Sequence, residues 1–531
     1  MSRSHYVRMG CKLVLLTSGI ACGSSTPSKS ESITTNQATA GVTAPPSGAP
    51  NPTAASSAGS SAIASQPSAA GAGVRPGTPN IGDVPNTPQA SGGSSAPVET
   101  GSKVPSTPAE QAGGSVDWTM MGYDVGSTYF NAAETTLTKE SAAKLEVAWT
   151  AEMGGNVYGA ALQVGDKIYA TAPGSVRAFE AASGKELWKT TASSTSALAY
   201  ADGSLYLNTL GAQIIALDPG TGMMQWSKPH NTVVKADGSS SAIPAGDVII
   251  VGGSSGVDEL SGGGKFRGYF SGVDRKTGEL KWSTFTVPEG SRGASVWSTL
   301  SADLGLGLGF AGTGNNYGMP TTDTSDAIIA FELSTGAIKW KNQRVKNDGF
   351  GGGSGPDADF GANPVLYEAN VGGSATKLVA DGNKGGSVFA MKREDGMLLW
   401  ERSLGAGTAD GSKGIFTNFA WSGKLLVVAC NEGGPATLYA LDGATGEIAW
   451  MRKLTGQVWG RTAFANGVGF VGTGTTLEAF DVDTGAVIKS WPSTGTIAST
   501  ITISRGRVAF GEGLSWSGGK RGTKLTVLAV K

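Results

Sequence analysis

Histidine and cysteine are nearly missing from this chain, whose 531 residues include 2 His and 3 Cys. His5 lies within the first few residues, which leaves His230 as the one other imidazole. Multi-histidine zinc sites are therefore excluded, and a Ser-His-Asp triad would have to be built around His230 alone. No C-x-x-C-H occurs, so the signature of covalent c-type haem is absent too. An excess of one charge is also lacking, with 41 Lys+Arg against 42 Asp+Glu. Nothing suggests a polyanion-binding surface, and nucleic acid is not an expected partner. Any chemistry falls mainly to carboxylates or to a cofactor. Hydrophobic content, at 39%, is low for a packed protein, while glycine is plentiful at 82 residues. Part of the chain is therefore expected not to be packed.

The unpacked part is visible. Residues 23–115 contain no Trp, Tyr or Phe, hold 13 of the 23 Pro, and carry seven charged residues. Such a segment cannot bury enough apolar area to offset its ordering entropy, so it reads as a disordered tether without a binding site. Before it, residues 1–22 have Arg3, Arg8 and Lys12, then a short apolar run from Leu13 to Ala21, then Cys22. The run is too short to span a bilayer. The segment resembles a bacterial lipoprotein signal, which implies export, lipidation of Cys22 and a lipid anchor at the outer membrane or cell envelope.

From residue 116 to 531 a 13-residue phrase recurs. It appears as VRAFEAASGKELW (176–188), IIALDPGTGMMQW (214–226), FSGVDRKTGELKW (270–282), IIAFELSTGAIKW (328–340), VFAMKREDGMLLW (388–400) and LYALDGATGEIAW (438–450). A looser copy, LEAFDVDTGAVIKSW (477–491), has two extra residues before its Trp. Each copy is a short strand, a turn with Gly at one fixed position, and a second strand ending in Trp. That Gly stands where a hairpin turn needs positive φ. Many short strands with periodic Gly and aromatics predict an all-β propeller. Seven copies supply seven blades. KLTVLAVK (524–531) has only the first strand of the phrase and KLEVAW (144–149) only the second, so together they predict an eighth blade closed by both termini. Trp149, Trp188, Trp226, Trp282, Trp340, Trp400, Trp450 and Trp491 are then packing residues between blades. The predicted organisation is a signal over 1–22, a linker over 23–115 and an eight-bladed propeller over 116–531, expected to act as a monomer.

The repeats are unequal where a site would lie. Spacings from Trp188 to Trp450 run 38, 56, 58, 60 and 50, so the insertions fall between about 227 and 450. Insertions in repeat proteins gather on one face, often the binding face. The stretch carries VGGSSGVDELSGGGKFRG (251–268), GASVWSTLSADLGLGLGFAGTGNNYG (293–318), TSDAIIAFELSTGAIKWKNQRVKNDGF (324–350), GPDADFG (355–361) and DGNKGG (381–386). Glu259, Asn315 and Asp348 are hard oxygen ligands of the kind Ca²⁺ takes. Arg267 and Lys384 have the charge to neutralise a polyanion such as a tricarboxylate. Trp297 is not at a blade-docking position and is free for stacking; Trp459, in QVWGRTAF, holds a comparable place in a later blade. His230 reads as a solvated loop residue and Cys430, in LLVVACNEG, as a small hydrophobe buried in a strand.

The repeated phrase resembles the pyrroloquinoline-quinone (PQQ) repeat family. The ordered motifs sharpen this to the quinoprotein alcohol dehydrogenases, and most to their polyvinyl-alcohol dehydrogenase branch. G-S-S-x-x-x-E, F-R-G, V-W-S, G-T-G-N-N-Y, S-D-A-I-I-A-F, W-x-N-Q, D-x-D-F-G and G-x-K-x-G fall in the family's order. The resemblance implies PQQ and Ca²⁺ as cofactors and a small or polymeric alcohol as substrate. It implies Glu259, Asn315 and Asp348 as metal ligands, Trp297 as an aromatic floor, and Arg267 and Lys384 as cations holding the quinone's oxygens. Asp348 is then the base that takes the alcohol proton, with Asp357 and Asp359 in reserve. The family's adjacent cysteines are replaced by Gly263, Gly264 and Lys265, and no fused haem domain is present, so a separate electron acceptor is implied. The other reading left open is a non-catalytic envelope propeller that scaffolds proteins, similar to the lipid-anchored outer-membrane assembly factor of the same family.

Overall fold

The computed structural model describes residues 115–530, apart from 234, 261–263, 351–354, 406–412, 417–418 and 515–517. The signal segment, Cys22 and the tether up to residue 114 lie outside the described residues. No described helix is long and apolar enough to cross a membrane.

Eight antiparallel sheets form the blades of a propeller. Blade 1 runs from inside to outside as Leu162–Val164, Lys167–Ala172, Ser175–Glu180 and Glu186–Thr190. The pattern repeats over 199–229, 243–285, 301–343, 365–403, 413–453 and 463–492. The innermost strands touch one another around the axis, as Ala199–Ala201 does with Leu162–Val164 and Ile243–Ala245. Middle strands are sandwiched between blades, so Val248–Gly253 is buried at all six positions. The outer strand Met224–Pro229 is largely exposed. Blade 8 closes as the sequence predicts: Thr502–Ser504, Arg507–Gly511 and Lys524–Val530 are completed by Leu145–Glu152. The register of that last pair runs from Leu145 opposite Val530 to Glu152 opposite Lys524.

Tryptophan and glycine of the phrase act as one device across blades. The indole of Trp149 donates to Ala181 O at 3.0 Å, Trp188 to Pro219 O at 3.0 Å and Trp400 to Gly443 O at 3.0 Å, each in the outer turn of the next blade. Trp491 closes the ring by donating to Leu145 O at 3.1 Å. The fixed Gly of each turn has positive φ, 70° at Gly446, and lies under the preceding blade's indole. The two extra residues of the loosest copy move Trp491 two places along its strand, opposite Leu477, while Lys489 takes the usual slot opposite Ala479. A shift of two keeps the side chain on the same face.

One feature carried no sequence signal. Residues 116–134 circle one end of the axis and bond to the inner strands of most blades. Tyr200 N donates to Thr119 O at 2.7 Å, Ala302 N to Val125 O at 2.7 Å, Leu366 N to Gly126 O at 2.8 Å and Phe464 N to Tyr129 O at 2.9 Å. Asp117 accepts from Gly165 N at 3.1 Å and pairs with Arg505 at 2.7 Å, and Glu134 accepts from Gly506 N at 2.8 Å. These are turns between first and second strands, so the segment caps that face. Cys430 is a buried free cysteine, as expected. His230 is not solvated: it is 1% exposed, its Nε2 lies 3.1 Å from Asn208 Oδ1, and burial pushes its pKa down to about 3.

Candidate functional site

Strand ends alternate between the two faces of a blade, so loops after second strands and loops between blades share the face opposite the 116–134 cap. Every candidate residue from Glu259 to Lys384 sits in such a loop. Glu259 is on the short helix Gly256–Leu260, after the second strand of blade 3, and Arg267 follows in the same loop. Trp297 is in the connection from blade 3 to blade 4, and Asn315 follows Leu308–Gly312 of blade 4. Asp348, Asp357 and Asp359 are in the connection to blade 5, and Lys384 is in the turn after Ser374–Gly382.

Lys384 organises the centre. Its ammonium lies 3.0 Å from Asp357 Oδ1 and 2.7 Å from Asp359 Oδ2, 5.5 Å above the Trp297 ring and 5.4 Å from that of Phe416. Asp359 Oδ1 accepts the Asn315 amide at 2.7 Å, and the Asp359 carbonyl accepts the Lys384 amide at 2.9 Å. Gly414, at φ 84°, lets the inner strand of blade 6 close on the Lys384 carbonyl, where a Cβ would collide. Gly361 likewise lets the backbone meet the Trp297 ring edge. Asp348 accepts the amides of Asp357 at 3.2 Å and Ala358 at 2.6 Å, and so shapes the loop that presents the other two aspartates.

The charge is lopsided. Glu259, Asp326, Asp348, Asp357 and Asp359 interact with one another, with the Lys384 charge or with both. Burial, reinforced by the Asp359 charge, pushes Glu259 up to about 8 and Asp357 up to about 6, with Lys384 opposing both. Burial, with Asp359 and Asp348 adding, pushes Asp326 up to about 10. Burial alone would lower Lys384, but Asp359 and Asp357 hold it above its usual range. Five acids around one lysine call for protons or an added cation.

The predicted residues do not all meet. Trp297, Asn315, Lys384, Asp357 and Asp359 come together, and Glu259 is linked through Tyr317, whose hydroxyl is 3.4 Å from Glu259 Oε2. The Arg267 guanidinium instead bonds Val287 O, at 3.2 and 2.6 Å, and lies 3.9 Å over the Phe285 ring. Among the described residues no three His, Cys, Asp or Glu side chains form a ready-made metal cage, and Asp348 has both oxygens on backbone amides. The donors still fit a hard cation in kind. They are oxygens, from buried acids whose negative charge exceeds that of Lys384. A half-buried indole with an ammonium above it fits a flat anionic ring.

Three residues escaped the sequence reading. Asp326, fully buried and with no hydrogen-bond partner to either carboxylate oxygen among the described residues, stands second in the quoted S-D-A-I-I-A-F. Tyr317 follows Asn315 and Asn316 in G-T-G-N-N-Y. Phe416, 5.5 Å from Trp297 and 5.4 Å from Trp459, sits in a gap of the inner strand of blade 6 and had no motif to mark it.

Comparison with known proteins finds two family models, which overlap over 229–304 and 384–414. The family model described as outer membrane protein assembly factor BamB matches residues 109–304 and 384–530. The model described as glucose/ethanol/alcohol dehydrogenase, beta-propeller domain, matches 229–414, the stretch holding every candidate residue except Cys22. A polyvinylalcohol dehydrogenase of Sphingopyxis sp. (strain 113P3) is 28% identical over 69% of this chain and 65% of its own length. A second, of Pseudomonas sp., is 27% identical over 59% of this chain and 56% of its own. The chain thus spans less than two thirds of these relatives. The crystal structure of quinohemoprotein alcohol dehydrogenase from Comamonas testosteroni superposes with a TM-score of 0.65 at 19% identity, over 78% of this chain and 80% of that one, which shows a shared fold.

Proposed function

The chain belongs to the PQQ-repeat, quinoprotein alcohol dehydrogenase-like family, and from that premise we propose that it oxidises an alcohol with bound PQQ and a divalent cation such as Ca²⁺. The observation that carries this is the Lys384–Asp357–Asp359 cluster over Trp297, in the inserted loops of one propeller face. A scaffold reading accounts for the repeat but gives no reason for a buried lysine among five acids.

When bound, PQQ would supply the two-electron acceptor and the cation Lewis acidity. Trp297 would carry the face of the ring and Lys384 hold its oxygens. Glu259 and Asn315 would ligate the cation. Asp357 is the best-placed base: it pairs with Lys384 through Oδ1 alone, and its pKa of about 6 leaves it ionised yet basic at neutral pH. Asp348 positions that base through the 357 and 358 amides. Asp359 keeps Lys384 charged and aimed. A separate carrier would take the electrons onward, and export with a lipid on Cys22 remains the expectation from residues 1–22.

The test is direct. PQQ and Ca²⁺ added to the full chain should shift the quinone spectrum and raise the melting temperature. A ligand at 100 times its Kd stabilises by about 2.7 kcal/mol. Dye reduction with short alcohols and with polyvinyl alcohol then reads turnover. No spectral change and no thermal shift would end the proposal, and mass spectrometry of the Cys22 peptide from native membranes checks the anchor.

A further inference from the structure

Beside the candidate centre, on the same face, a groove of about 420 Å³ runs between blades 7 and 8. Thr455, Gln457, Trp459, Thr475, Thr476 and Lys520 line it. They come from the connection into blade 7, the turn after Val468–Thr473 and the loop after Arg507–Gly511. Two further threonines hold the walls from inside: Thr473 Oγ1 accepts from Gly456 N and Thr496 Oγ1 from Lys520 N, both at 2.8 Å. Thr475 and Thr476, by contrast, have no hydrogen bond through their hydroxyls among the described residues.

The lining chemistry is specific in kind. Threonine hydroxyls donate and accept, and a glutamine offers both senses as well. Among the described residues no carboxylate lines the groove and Lys520 is its one charged side chain. Such a wall matches a chain of alcohol groups, which also donate and accept at every unit. The groove ends on Trp459, whose ring lies 5.4 Å from Phe416, and Phe416 lies 5.5 Å from Trp297. An aromatic step thus leads from the hydroxyl-lined groove to the indole beneath Lys384.

We propose that this groove is a subsite for a hydroxyl-bearing polymer chain, gripping the units beyond the carbinol that reacts over Trp297. The inference deepens the alcohol-oxidising reading and rests on it for where the reacting carbon lies. Binding in the groove is measurable without turnover. Energy from remote units would lower KM for long substrates and leave short ones untouched.

The probes are vinyl-alcohol oligomers, 1-butanol and inorganic phosphate, titrated calorimetrically into the full chain without added cofactor. The parent should bind oligomers at least tenfold more tightly than 1-butanol. Thr475→Trp, which fills the groove, should weaken oligomer binding about tenfold or more. The near-isosteric pair Thr475→Val with Thr476→Val should weaken it roughly threefold to tenfold, and circular dichroism would verify its fold. In the loaded protein the same variants should raise KM for oligomers and leave 1-butanol kinetics within twofold. Oligomer binding lost in the variants, with no alcohol turned over by the loaded parent, would support the groove and remove the activity. Equal oligomer binding by parent and variants, or displacement of oligomer by phosphate, would overturn the subsite.

Discussion

At the scale of single residues, the site divides its aspartates by what each oxygen touches. Asp348 serves two amides, Asp359 serves Asn315 and Lys384, and Asp357 commits one oxygen. Asp357→Asn should therefore lower turnover by roughly 100-fold or more. The parent rate should rise with pH through about 6 as this carboxylate ionises, and steady-state kinetics across pH 5–8 check both. An Asp357→Asn enzyme that keeps the parent's rate and pH limb would exclude it as base. Asp326 gives a stability prediction. Its folded pKa of about 10 exceeds the ordinary 3.8, so the native state binds the extra proton and stability falls as pH climbs between those values. The slope reaches about 1.4 kcal/mol per pH unit for one group. Asp326→Asn, a mimic of the neutral acid, should flatten the decline of melting temperature from pH 6 to 9. Parallel curves for parent and variant would refute the assignment. The acids themselves were legible in N-D-G-F and D-A-D-F-G, but their division of labour was not. It depends on where Lys384, 25 residues beyond Asp359 and past two strands of blade 5, reaches them, and no local spacing encodes that. Arg267 shows the converse, a cation in the right motif whose guanidinium finds a backbone carbonyl and a phenyl ring first.

At the scale of the strand and turn, the fold was readable because one phrase satisfies several physical demands at once. The fixed glycine meets two: a positive φ, and no Cβ under the neighbouring indole. The blade count followed from the two half-phrases at the ends, since an unpaired strand edge is a liability that closure removes. The 116–134 cap was illegible because it bonds mainly through backbone groups, which leave no residue pattern. The two demands on glycine can be separated by mutation. At Gly446, φ is 70° and an added Cβ would lie 2.5 Å from Trp400 Cε3. At Gly246, φ is 64° and the space is open. Gly246→Ala should cost about 1 kcal/mol, the conformational penalty alone, whereas Gly446→Ala should cost more, by roughly 1–3 kcal/mol of overpacking. Urea denaturation compares them, and equal losses would show that the indole yields freely.

At the scale of the whole molecule, closure makes the two ends of the propeller interdependent. The strand Lys524–Val530 lies between Arg507–Gly511 and Leu145–Glu152, so among the described residues it is the strand that joins the rest of the last blade to Leu145–Glu152. Removing it strips Leu145–Glu152 of its sheet partner and turns Arg507–Gly511 into an edge. It also loosens Leu145, whose carbonyl receives both the Trp491 indole at 3.1 Å and the Lys489 ammonium at 2.7 Å. The damage therefore spreads to the junction with blade 7. The cap spreads it further, because Asn131 Nδ2 donates to Ile503 O at 2.8 Å in blade 8 while Asn131 N donates to Phe464 O at 2.9 Å in blade 7. A chain ending at Thr523 should accordingly fail as a unit, with loss of soluble protein or of the cooperative thermal transition, and should not persist as a seven-bladed remainder. A peptide of residues 524–531 supplied in trans should restore the transition, because it offers the same register from Leu145 to Glu152. Recovery of a sharp transition without the peptide would mean that the cap and the seven complete blades hold the ring by themselves.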